Sequence, residues 1–116
     1  MRELKHGDGF EERWWKLSLS QQLGNVGSEV SRALKWRSRN STIAQGAIDR
    51  TLELIDLTLD DPRHRVVVAR LREICRAREV LLDFLVGANL YGSTEESLQR
   101  YFDVFAVAAA KAQGRG

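Results

Sequence analysis

The run 61–87, DPRHRVVVARLREICRAREVLLDFLVG, constrains this chain more than any other stretch. Asp61-Pro62 is a helix start. The aspartate can cap free N–H groups of a first turn, and proline has none to lose there. Gly87, with Asn89 just beyond, is a stop. Wound at about 100° per residue, Val67, Val68, Leu71, Ile74, Cys75, Leu81, Leu82 and Leu85 share one broad face. Arg72, Arg76 and Asp83 fall opposite, with Glu79 on the border. Arg78 lands near the middle of the apolar face. An unpaired buried guanidinium is very costly, so a carboxylate from another helix is expected to meet it. Glu29 is the first choice and Glu53 the second. Cys75, on the same face, is expected to be a small buried core residue.

The rest of the chain reads as helices packed around this one. Residues 1–17 form an arm with a turn signal at Gly7-Asp8-Gly9. Its load of Phe10, Trp14, Trp15 and Leu17 is too apolar to leave in water and should cover one end of the bundle. Ser18 and Gln21 make a capping box for a helix over 19–38. Leu19, Leu23, Val26, Val30, Ala33 and Leu34 form its stripe, and Gly24 and Gly27 beside it predict close approach of a neighbour. Asn25, Glu29, Arg32 and Trp36 group on the other flank. A second helix covers 42–60, with Thr51 and Thr58 on its apolar face. Their hydroxyls can be satisfied on preceding carbonyls. Ser93 and Glu96 supply another capping box for a last helix to about Lys111, on which Val104 and Val107 point away from the core. Short connections favour an antiparallel, up-down four-helix bundle over 18–112, with a tail at 113–116.

The 116 residues suit one domain. Net charge is only +2, although the basic side holds 14 Arg against 4 Lys. Internal Arg–carboxylate pairing accounts for that balance, and it is weak ground for nucleic acid. No apolar run is long enough to span a membrane, the lone cysteine forms no internal disulfide, and the N-terminus lacks an apolar signal core. The expected location is the cytoplasm.

Chemistry is sparse. His6 and His64 are far apart and match no zinc spacing. No phosphate-binding glycine loop is present. The carboxylates Glu53, Asp56, Glu79 and Asp83 form two helical pairs that could together hold Mg²⁺ for phosphate chemistry. That set faintly resembles the all-α nucleotide pyrophosphohydrolases of the MazG type. Those carry an E-x-x-E pair before an E-x-x-D pair, and only the second kind occurs here. The broader resemblance, carried by GNVGSEVSRAL (24–34), RTLELIDLT (50–58), EICRAREVLLD (73–83) and YGSTEESLQRYFDVFAVAA (91–109), is to a family of small prokaryotic helical proteins, and it supplies no activity. At lower resolution the bundle resembles HEPN-type domains, which accompany minimal nucleotidyltransferases or act as ribonucleases. The ribonuclease R-x(4–6)-H motif is missing: Arg2 is too close to His6, and no Arg stands at the right distance before His64.

The resulting expectation is a non-enzymatic helical module without a cofactor. It would bind another protein or its own copy, most simply as a twofold dimer. Candidate ligand or buried-charge residues are Arg78, Glu29, Glu53 and Asn25. Candidate interface residues are Trp36, Val104 and Val107. A Mg²⁺-dependent hydrolase is the first alternative. RNA binding through the central-helix arginines and arm tryptophans is the second.

Overall fold

The Ser18 capping box forms in full. Ser18 Oγ accepts from the Gln21 N–H at 3.1 Å, and Gln21 Oε1 accepts from the Ser18 N–H at 2.8 Å. It opens α2, Leu19–Trp36, which follows a short α1, Phe10–Trp14. Asn40 caps α3, Ser41–Asp60, by accepting from the Thr42 and Ile43 N–H groups. The chain continues through α4, Pro62–Arg65, α5, Val68–Leu85, and α6, Glu95–Gly114. The structure, a computed structural model, describes residues 9–114. Among these the chain is all-helical, with six helices and no strand. Residues 1–8 and 115–116, including the Arg2–His6 pair and most of the arm's turn signal, lie outside the described residues.

The central run is two helices rather than one. Asp61 caps as expected, accepting from the Arg63 N–H at 3.0 Å. The helix it starts ends at Arg65, and Val67 adopts an extended conformation before α5 begins. Val66, Val67 and Val68 are therefore exposed at a corner. Including Val67 and Val68 in one continuous winding rotates the inferred face away from the true one. The buried line of α5 is Ile74, Ala77 and Leu81, with Val80 and Phe84 packed beside it. Cys75 is exposed, contrary to the sequence expectation.

Helix α2 lies between α3 and α6, and α5 packs on α3. The glycines of α2 serve the α6 contact. A Cβ on Gly27 would stand 2.5 Å from Phe102 Cβ, and one on Gly24 would stand 3.2 Å from the Ala106 backbone. The core joins Leu23, Val26 and Val30 to Leu54, Ile55 and Leu57, and to Ile74, Leu81, Leu98 and Phe102. Both helical threonines donate to the carbonyl four residues back, Thr51 to Ala47 at 2.8 Å and Thr58 to Leu54 at 2.9 Å.

The last cap is shifted by one residue from the sequence expectation. Asn89, at φ 56°, clamps Ser93 through both its main-chain N–H and C=O. That holds Ser93 in the turn. Thr94 and Ser97 then cap α6 reciprocally.

Candidate functional site

The densest polar chemistry is inside. Where α1, the start of α2, the end of α3 and α4 converge, Gln22, Thr58, Asp61 and His64 are all at most 1 % exposed. Gln22 Nε2 donates to the Trp14 carbonyl at 2.9 Å and to Asp61 Oδ2 at 3.0 Å. Its amide oxygen therefore faces His64 Nε2, 2.7 Å away. A carboxylate only accepts, which fixes the amide's orientation and puts the imidazole proton on Nε2. Nδ1 is then a buried lone pair with no partner. Trp14 Nε1 donates to Thr58 Oγ1 at 3.0 Å, and Trp15 Nε1 to the Leu57 carbonyl at 2.9 Å. Arg63 closes the network from outside, reaching Asp61 Oδ2 and the Leu17 carbonyl, each at 2.6 Å.

Electrostatics follow from that enclosure. Burial alone would push the Asp61 carboxyl up, but hydrogen bonds from Arg63 and Gln22 outweigh it and hold it down at about 2. Burial pushes the His64 imidazole down, against the pull of Asp61. The group is a neutral imidazole beside a carboxylate, a pairing common in catalysis. Here neither side chain meets solvent or a cleft, so it orders the fold.

The sequence-predicted charge site is not assembled as expected. Arg78 is half-exposed and donates from Nε to Asp56 Oδ1 at 2.7 Å. Its partner is neither Glu29 nor Glu53. Glu29 instead lies 4.0 Å from Arg50. Glu53 is half-buried with other contacts of its own, and Asn25 is exposed. The four-carboxylate set is dispersed into separate duties. Asp56 holds Arg78, Glu79 accepts from the Tyr91 hydroxyl at 3.0 Å, and Asp83 accepts the Leu90 and Tyr91 N–H groups. Among the described residues no group of three or more His, Cys, Asp or Glu could hold a metal ion. Of the arm tryptophans, Trp14 is buried and Trp15 half-buried, and each directs its indole N–H to α3.

The apolar candidates lie at the surface. Val104 is 61 % exposed and Val107 52 %. With Leu34, Ala108 and a charged rim of Glu95, Glu96, Arg100, Asp103 and Lys111, they line an open groove of about 910 Å³ along α6. Trp36 is half-buried, with Lys35 Nζ 5.5 Å from its ring centroid.

Sequence reasoning missed the buried network. Its signal was Gln22 directly before Leu23 on the inward side of α2, and a histidine one turn after a helix-capping aspartate. No protein-family model, curated protein or solved structure matches the chain.

Proposed function

We propose that this chain is a non-enzymatic helical interaction module that pairs with a second copy of itself through the outer face of α6. The observation that carries the reading is that face. Glu96, Arg100, Asp103, Val104, Val107 and Lys111 form one helical stripe, with Val104 and Val107 in the open. Their spacing is its own mirror image about the midpoint between positions 103 and 104. A reversed copy therefore brings Glu96 opposite Lys111 and Arg100 opposite Val107, slightly more than one turn from Asp103. The twofold axis falls beside Val104. Such a face is self-complementary in charge at its ends, with Val104 and Val107 toward its middle and Asp103 beside its own copy at the axis, a like-charge contact that weakens the pairing. From Glu95 to Lys111 it is roughly 25 Å long. That places it at the small end of specific interfaces, which bury about 1,200–2,000 Å² in total, so the dimer is weak.

The arrangement behind this face is read as an up-down four-helix bundle of α2, α3, α5 and α6. Support comes from partner order. Along α2, Gly24, Gly27, Ser31 and Arg37 meet Ala106, Phe102, Gln99 and Glu95 in turn. Numbers that rise along one helix fall along the other. An accessory role of the HEPN-like kind fits this reading, because it asks only for a binding surface. The dispersal of Glu53, Asp56, Glu79 and Asp83 favours it over the metal-dependent hydrolase.

Light scattering over a concentration series tests the proposal. The wild-type mass should rise toward that of a dimer, and Val104→Asp/Val107→Asp should remain monomeric with an unchanged melting temperature. A wild-type monomer at high micromolar concentration would end the self-pairing reading.

A further inference from the structure

A second surface, independent of α6, projects from the α4–α5 corner. Every residue from 65 to 70 is exposed, with Val66 at 82 % and Val68 at 62 %. The backbone is helical at Val66 and extended at Val67 before it turns into α5. Successive valine side chains thus leave in different directions around a convex tip. They do not line one face. The tip also overhangs its neighbour. Leu59, near the end of α3, shares a hollow with Cys75, so the α5 residues ahead of Ile74 run past the end of α3.

Arginines stand on both sides of the valines: Arg63 and Arg65 before them, Arg70 and Arg72 after. Arg63 remains 45 % exposed at its side chain despite its bond to Asp61. Arg65 reaches the Leu59 carbonyl at 3.1 Å. Arg70 and Arg72 are exposed and, among the described residues, enter no ion pair. The nearby acids are Asp60 at the end of α3, Asp61, which is wholly buried, and Glu73, which accepts the Tyr101 hydroxyl. Beneath the tip, buried Asp61 and His64 anchor α4 through Gln22. The tip is held in place before any partner arrives, so little order is lost on contact.

The geometry points to this corner as a peripheral docking site for an anionic phospholipid bilayer surface. Apolar side chains that radiate around a tip suit a fluid boundary that can surround them, whereas a protein groove contacts one side. Arginines at the base lie where phosphate headgroups would be, and guanidinium pairs well with phosphate. Nucleic acid would engage the arginines but set the valines against sugar and phosphate.

Co-sedimentation of the full chain with vesicles tests this. Vesicles of phosphatidylcholine alone should bind little, and vesicles with about 30 % phosphatidylglycerol should bind in a salt-sensitive manner. Val66→Asp/Val68→Asp should weaken that binding at least about tenfold, with circular dichroism and melting temperature verifying an intact fold. Arg70→Gln/Arg72→Gln should weaken it and flatten its salt dependence. Absence of binding to the anionic vesicles at low salt would overturn the proposal. So would equal binding by the valine variant. Tighter, valine-dependent binding to an RNA oligonucleotide or to polyglutamate would reassign the partner and overturn it as well.

Discussion

Two regions of this molecule reverse the usual division of labour between polar and apolar groups. Where α1, α3 and α4 meet, a carboxylate, an imidazole, an amide, a hydroxyl and an indole are sealed from water and bonded to one another. Along α6, valines stand in solvent with nothing over them. The residues that look like chemistry hold the fold. The residues that look like core are free to act. Apart from the His64 Nδ1 lone pair, the side chains of this network are satisfied by one another or by backbone, and such a network fixes one arrangement of the elements around it. An exposed apolar stripe contributes nothing to the monomer, so it can be changed without unfolding it. The two regions should therefore respond to mutation in opposite ways.

The largest effect is expected at the buried end. Asp61→Ala removes the α4 cap, leaves one buried Gln22 amide hydrogen without its acceptor, and frees the Arg63 guanidinium to solvent. It should cost about 3 kcal/mol and lower the melting temperature by roughly 10 °C. An unchanged melting temperature would mean that the network is incidental.

Acid attacks the same region in two windows. The folded His64 pKa lies below its ordinary 6.5. The unfolded chain therefore binds the proton first, and stability falls as pH drops below about 6.5. Asp61 titrates at about 2 when folded against 3.8 unfolded. It contributes roughly 2 kcal/mol that is present above pH 4 and lost toward pH 2. Chemical denaturation across pH should show both steps, and His64→Gln should remove the upper one. A stability that rises between pH 6.5 and 5 would contradict the assignment of a buried neutral imidazole.

The inner side of α6 separates packing from surface. Gly27→Ala drives a methyl into Phe102 and should cost about 1–3 kcal/mol by overpacking. Gly46→Ala meets nothing within 4 Å and should stabilise α3 by roughly 1 kcal/mol. If the two changes have equal effects on denaturation midpoints, the α2–α6 approach is looser than described.

The smallest effect is expected at Arg78–Asp56. Both side chains are about a third exposed, so a double-mutant cycle should yield a coupling below about 1 kcal/mol. A coupling of several kcal/mol would restore the buried-charge reading that periodicity alone suggests.

Local signals in the sequence were readable because short-range chemistry decides them. Ser18 with Gln21, Asp61 with Pro62, and the threonine back-bonds depend on residues within one turn of each other. The phase of α5 was not readable. Three valines in a row carry apolar weight without direction, and the break at Val67 leaves no glycine or proline to mark it. The partner of Arg78 was unreadable for the same reason, since it depends on that phase. Gln22 and His64 could not be matched because their contact spans 42 residues and joins two side chains that are ordinary on a surface. Val104 and Val107 were visible as outliers from the α6 stripe, and the structure leaves them exposed.

The central claim is that α6 is the contact face and meets a reversed copy of itself. Sedimentation velocity on charge-swapped chains tests it most directly. Glu96→Lys alone and Lys111→Glu alone should each weaken the dimer by placing like charges opposite each other. An equimolar mixture of the two sets opposite charges against each other at both ends of a mixed dimer, and the double variant Glu96→Lys/Lys111→Glu does so in its own dimer, so both should regain wild-type association. A double variant no better than either single one, or single variants that associate as well as wild type, would contradict the reversed α6 pairing.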